Sequence, residues 1–229
     1  MIVSDELVES LTHNGFAVVP TVLDAKVVND LLALMQDAQL GGGRRNVLAD
    51  FAEVQSAAHS PEVRSIVESI LGPDAFAVRG LFFDKNPQAN WMVGWHQDRT
   101  IAVRERHETP GFTLWTIKSG VHHVQPPVSI LKEMLTIRLH LDETDESNGP
   151  LRVIPGSHHA GLIPEEDAEI WVNRCNPVIC SVERGGAVVM RPLLLHASSK
   201  ATNPSHRRVL HIEFASQPLP GKLNWAFKA

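Results

Sequence analysis

The stretch "GWHQDRT", Gly94 to Thr100, places an imidazole and a carboxylate two positions apart. In an extended strand successive side chains alternate faces, so His96 and Asp98 would point the same way as a two-point chelate. On a helix the same spacing sends them to nearly opposite sides. A second pair, His140 and Asp142, occurs in "RLHLDET". There Leu135, Ile137, Leu139 and Leu141 occupy one face and Thr136, Arg138, His140 and Asp142 the other. That pattern reads as a half-buried strand with its polar side turned to solvent. A chelate needs a third ligand, and "PLLLHASSKATNPSHRR" supplies His196 at the end of an apolar run, with Arg207 downstream. Two histidines and one carboxylate on one face of an octahedron suit Fe(II) and leave three positions open for chemistry.

Such residues need strands to carry them. The first seventy or so residues read as mainly helical, with "GFAVVP" as an early strand. "DAKVVNDLLALMQDA" has Asp24 as N-cap, apolar residues at helical spacing, and the glycines of "GGGRR" as its stop. "SPEVRSIVESILGP" repeats the logic, with Ser60 as cap, Pro61 in the first helical position and Gly72-Pro73 as terminator. From residue 75 onward short β-prone runs follow one another, mostly separated by Gly, Pro, Asn, Asp or Ser. Helices first and strands after predict an α+β chain, mainly β in its core, built as a sandwich or jelly roll. The expected division is a helical buttress over roughly 1–74 and a β core over roughly 75–215, in one domain of 1–229. In a jelly-roll metalloenzyme the paired ligands lie on an early strand and the last ligand on a late one. Counting back from the late strands favours His96 over His140.

The bulk numbers narrow the function. With 43% hydrophobic and 21% charged residues in 229, the chain is composed like an ordinary soluble protein. A formal net charge of −5 offers no basic field for nucleic acid or an anionic membrane. No apolar run reaches a membrane span, and "MIVSDELVES" lacks the charged and apolar regions of a secretory signal. Two cysteines, Cys175 and Cys180, are too few for a disulfide framework or a cysteine-based zinc site, so a cytoplasmic location is expected.

Three motifs, "WHQD", "NGPLRVIPGSHHAG" and "LLLHASSKATNPSHRR", in this order, resemble the phytanoyl-CoA dioxygenase family of iron(II)- and 2-oxoglutarate-dependent oxygenases, from about residue 10 to residue 215. The resemblance implies a double-stranded β-helix, the jelly roll, buttressed by the N-terminal helices. It also implies Fe(II), 2-oxoglutarate and O2 as cofactor and cosubstrates, and hydroxylation of a small molecule with release of succinate and CO2. By motif position His96, Asp98 and His196 match the iron ligands. Arg207 matches the residue binding the distal carboxylate of 2-oxoglutarate, with Arg208 as competitor because one residue of register swaps faces. A planar, permanently charged guanidinium suits that task. Ser198 matches a hydroxyl that helps hold the same carboxylate, and Trp115 resembles an aromatic lining the cosubstrate pocket.

An intact Asp98 favours hydroxylation over halogenation and leaves desaturation or cyclisation open. The chain shows no basic cluster suited to the phosphates of coenzyme A, although Arg44 and Arg45 could meet an acid group. The stretch from Asp98 to Pro127 is expected to cover the mouth of the site as a loop, with Trp91, Trp95 and His123 as candidates for the substrate wall. Two other readings remain: a cupin-like metalloenzyme that does not use 2-oxoglutarate, and a non-catalytic binding jelly roll. The sequence names neither the substrate nor the oligomeric state, monomer or homodimer.

Overall fold

The computed structural model describes residues 4–38 and 42–229. Gly41, part of the expected helix stop, and Met1 to Val3, part of the stretch read for a leader, lie outside them. The first third holds α1 (Asp5–His13), α2 (Ala25–Asp37), α3 (Val47–Asp50), α4 (Ala52–Ala58) and α5 (Pro61–Leu71). The caps read from the sequence are in place. Asp24 accepts from Val27 N at 2.8 Å, and Ser60 caps α5, where Pro61 needs no amide partner. This region is not purely helical, because β1 (Phe16–Val19) and β2 (Gly43–Arg45) join the edges of a sheet built from later strands.

The remaining strands are β3 (Phe76–Lys85), β4 (Val93–His96), β5 (Ile101–Val103), β6 (Thr113–Lys118), β7 (Val121–Gln125), β8 (Met134–His140), β9 (Leu151–Val153), β10 (Val178–Cys180), β11 (Ala187–Met190), β12 (His196–Ser198) and β13 (Arg207–Ala215). Two short helices, α6 (Val128–Lys132) and α7 (Ala168–Arg174), lie between them. A major sheet in the order β1-β11-β8-β13-β3-β2 faces a minor sheet in the order β10-β9-β12-β4, as in a cupin-like jelly roll. The segment after Asp98, expected to cover the mouth as a loop, forms a third sheet, β5-β7-β6, in which the β-prone run "GFTLWTIK" supplies β6. No helix among the described residues is long and apolar enough to cross a membrane.

The major sheet buries both faces, in different chemistry. Its outer face packs Ile137 and Leu139 of β8 and Leu210, Ile212 and Phe214 of β13 against Leu31, Val54, Val63 and Ile66 of the helices. The alternation read in "LTIRLHLD" is therefore present, but its polar face is not turned to solvent. Thr136, Arg138 and His140 are all buried and point between the two sheets. The reason is that helices cover the apolar face, leaving the polar face to line an interior cavity; a period of two does not distinguish water from a polar cavity. Asp142 lies beyond the strand and is bound by Arg208.

Ile137 is fully buried between sheet and helices. Ile137→Ala should lower the unfolding free energy by about 2–5 kcal/mol. A urea titration should show the midpoint falling at unchanged slope.

Candidate active site

Antiparallel register builds the centre of the site. His196 of β12 lies directly opposite His96 of β4, and the ring centroids are 4.2 Å apart. β4 ends at His96, but the chain stays tethered: Asp98 N donates to Pro192 O at 2.9 Å, next to the turn that leads into β12. Asp98 then reaches both imidazoles, Oδ1 lying 4.0 Å from His96 Nε2 and Oδ2 3.7 Å from His196 Nε2. Candidate ligand atoms of the three residues all lie within 4.8 Å of one another, the spacing of donors around one ion.

Neighbouring carbonyls select the tautomer each histidine needs. His96 Nδ1 meets Gly94 O at 2.8 Å and His196 Nδ1 meets Leu194 O at 2.9 Å. A carbonyl only accepts, so each Nδ1 carries the proton and each Nε2 offers its lone pair to the centre. Burial pushes the His196 pKa down to about 3, which keeps the ring neutral at neutral pH. Burial works against ionisation of Asp98 but is outweighed by His196, His211, His96 and Arg79, and its carboxyl stays well below the usual range. Two imidazoles presenting Nε2 and an anionic carboxylate, whose Oδ2 has no hydrogen-bond partner among the described residues, form a donor set that fits a divalent metal.

The motif "NGPLRVIPGSHH" positions this centre from outside. Ser157 is fully buried; its hydroxyl donates to Ile154 O at 2.7 Å and accepts from Leu195 N at 2.8 Å, holding the backbone next to His196. Gly149, at φ 75°, lies where an added Cβ would come within 2.6 Å of Ser199 O, so only glycine permits this approach. Gly149 O accepts from Ser198 at 3.1 Å. The tight turn thus carries a strand past the floor of the cavity.

That floor is cationic. Arg207 is 2% exposed and Lys85, its register partner on β3, is 1% exposed. Lys85 Nζ donates to Ser198 Oγ at 2.5 Å and to the carbonyl of Ser199. Arg138 is also buried and donates to His211 Nδ1 at 3.0 Å, which turns the His211 Nε2 proton toward Glu213, 3.4 Å away. Arg207 Nε and Nη1 and Arg138 Nε have no partner among the described residues. The cavity holds about 310 Å³, and Asp98 is its one carboxylate among the described lining residues. Burial and then Arg207 and Arg138 pull Lys85 down to about 7; burial and then Arg138 pull Arg207 down to about 9. Buried cations lacking counter-charges are destabilising, and a bound dianion would offset that.

The structure brings His96, Asp98, His196, Ser198 and Arg207 to one cavity, together with Trp91. It separates the two arginines: Arg208 is held by Asp142 through two bonds of 2.7 Å and does not line the cavity. Trp115 does not join them. It sits on the accessory sheet, packed against the second core cluster with Arg106 over its ring, so β6 aims it away from the cosubstrate floor. Trp95 and His123 also lie outside the lining, Trp95 beneath Arg152. Arg44 pairs with Asp50 at 2.6 Å, whereas Arg45 faces the cavity. Sequence reading missed Lys85, Arg138 and His211. The signal for Arg138 was present in its alternation with leucines but was assigned to the wrong side.

A family model described as phytanoyl-CoA dioxygenase (PhyH) matches residues 11–209. The chain belongs to the phytanoyl-CoA dioxygenase family. This PhyH protein is 24% identical over 192 residues to L-proline trans-4-hydroxylase of Streptomyces griseoviridis, covering 72% of this chain and 64% of that one. It is 23% identical over 207 residues to peroxisomal phytanoyl-CoA dioxygenase of Mus musculus, covering 83% and 55%. The chain therefore spans under two thirds of the length of either relative. Among solved structures, EctD from S. alaskensis with 2-oxoglutarate and 5-hydroxyectoine superposes with a TM-score of 0.72 at 18% identity, covering 93% of this chain and 76% of that one. EctD has also been solved with bound Fe. The family is one of iron- and 2-oxoglutarate-dependent oxygenases, and the donor set and cationic floor fit both groups.

Asp98→Ala should weaken anaerobic Fe(II) binding by more than the roughly 10–100-fold that loss of an outer-shell partner produces. Calorimetric titration measures this, and the melting temperature of the metal-free protein should also fall at neutral pH, because the surrounding cations hold the Asp98 carboxyl below its usual range and lose their counter-charge in the variant.

Proposed function

We propose that this chain is an Fe(II)- and 2-oxoglutarate-dependent dioxygenase that hydroxylates a small-molecule metabolite, with release of succinate and CO2. The observation that carries the reading is the buried, unpaired Arg207 guanidinium facing the His96, Asp98 and His196 set across one cavity. A cupin-like metal centre without a diacid has no use for that charge. The hydroxylase activity of the proline-specific relative supports the reaction class.

In this reading His96, Asp98 and His196 would hold iron on one face, and iron with its cosubstrates supplies the oxidising chemistry when bound. Arg207 grips the far carboxylate of 2-oxoglutarate with its two free donor atoms, and Lys85 adds a second positive charge. Ser198 holds Lys85 in place and would reach the same carboxylate by turning its proton away from Gly149 O. Phe83 and Leu81 flank these groups and limit water around the charged end. Trp91 closes the wall near Lys85, whose ammonium lies 5.8 Å from its ring centroid.

Anaerobic addition of Fe(II) and 2-oxoglutarate to the wild type should produce a weak visible charge-transfer band. Its absence would remove the hypothesis. Arg207→Ala should raise the 2-oxoglutarate midpoint roughly 30-fold, about 2 kcal/mol, the worth of a hydrogen bond to a charged group. An unchanged midpoint would move the anchor to another cation.

A pH dependence follows from Lys85. Its pKa in the free site is about 7, and a bound dianion favours the ammonium. Below pH 7 the ammonium is already present and affinity should be flat. Above it, binding must recover a proton, so the apparent affinity should fall by up to about tenfold per pH unit. Lys85→Met should flatten the profile as well as weaken binding.

A further inference from the structure

A second cationic feature lies at the mouth of the cavity, apart from the floor. Arg45 ends β2 and Lys118 ends β6, and both line the cavity. The next residue in each case has a left-handed backbone, Asn46 at φ 64° and Ser119 at φ 50°. Ser119 and Gly120 form the two-residue turn of the β6–β7 hairpin, both with positive φ, and a serine in the first position is strained. Asn46 Nδ2 donates to Ser119 O at 3.3 Å, clasping the two turns together across the chain. The clasp therefore holds two like charges side by side.

Neither cation is directly paired; Glu213 attracts both and Asp98 attracts Lys118, but only from a distance. Among the described residues Arg45 and Lys118 make no hydrogen bond or ion pair, and neither contributes to the packed core. Arg79, just below them, is already matched: its Nη1 lies 2.9 Å from Glu213 Oε1. Burial, and then repulsion from Arg79, lowers the pKa of both rim cations. Two charges held together against repulsion, by a strained turn and a long-range clasp, form a preorganised anion site.

The cosubstrate is met elsewhere. Arg45 pairs with Leu81, which pairs with His211, four residues along β13 from Arg207. At ~3.3 Å per residue, rim and floor backbones lie roughly 13 Å apart along the strand direction. Arg207, Lys85 and Arg138 answer the charge of 2-oxoglutarate, which leaves the rim pair for another ligand.

We propose that Arg45 and Lys118 recognise an anionic group of the substrate, a carboxylate or a phosphate monoester, so that the enzyme acts on acidic small molecules in preference to neutral ones. The assignment rests on the oxygenase reading, since it takes the floor to be filled by 2-oxoglutarate.

The test uses the full chain loaded anaerobically with Fe(II) and saturating 2-oxoglutarate, so that the floor is occupied first. Acetate and methyl phosphate are titrated in separately, followed by the charge-transfer band and by tryptophan fluorescence, since Trp91 lines the cavity. Binding by one probe and not the other identifies the group as carboxylate or phosphate. Lys118→Gln and Arg45→Gln should each weaken that binding by about tenfold or more, the worth of one charge-assisted contact. Lys118→Arg should restore most of it, and the 2-oxoglutarate midpoint should move less than about twofold in all three. Failure of both probes to bind the wild type overturns the proposal, as does binding unaffected by either glutamine substitution. A matching loss of 2-oxoglutarate affinity would instead assign the rim to the cosubstrate. Should the wild type show no charge-transfer band, the oxygenase reading fails, and the fluorescence titration still decides whether the rim binds anions.

Discussion

The site depends on the register between β12 and β4. His196 faces His96 because the two short antiparallel strands pair at that residue, and both rings then project to the same side. A slip of one position would turn the His196 imidazole to the opposite face of the sheet, away from His96 and Asp98. Three residues are too few to specify pairing alone, so the register is held from outside. β9 pairs the other edge of β12, Ser157 holds Leu195, and Gln97 ties the chain between the first two ligands to Leu193 O, Gly161 O and Ile163 N. The metal centre is thus an outcome of sheet pairing, with the long-range contacts as its guarantors.

The space between the two sheets is divided by chemistry. One part is filled by Leu151, Val153, Val188, Met190 and Leu194, which gives the jelly roll a dry core. The other part is lined by Lys85, Arg138 and Arg207 and holds almost no compensating negative charge. Apolar residues there would stabilise the fold better, so the arrangement trades stability for a cavity that is stabilised by an anionic occupant. The helices make this trade tolerable. They bury the outer face of the same strands over a continuous apolar cluster, which frees the inner face for charge.

Local chemistry was readable where one segment decides it. Asp24 and Ser60 cap their helices, "WHQD" supplies its two ligands, and the alternation in "LTIRLHLD" is that of a strand. Reading failed where a side chain's surroundings come from elsewhere. Arg138 and His140 were assigned to solvent, because the composition of a strand does not reveal that helices will cover its leucines. Trp115 was assigned to the cosubstrate pocket, yet its strand joins an accessory sheet and packs it into a separate cluster. The segment after Asp98 was expected to cover the mouth of the site as a loop; pairing of β7 with both β5 and β6 organises it as a sheet.

The sequence by itself determined the donor types, the helix ends, the strand periodicity and membership of a recognisable family. These follow from spacing along the chain and from side-chain chemistry, which survive without tertiary context. Only the tertiary structure decided that Arg207 and not Arg208 faces the cavity, that Lys85 and Arg138 share its floor, and that Arg45 and Lys118 meet at its rim. Those positions are separated by many residues, and their meeting depends on which strands pair and which face each sheet turns inward. Periodicity gives a strand two faces; only packing against other elements assigns one of them to the interior.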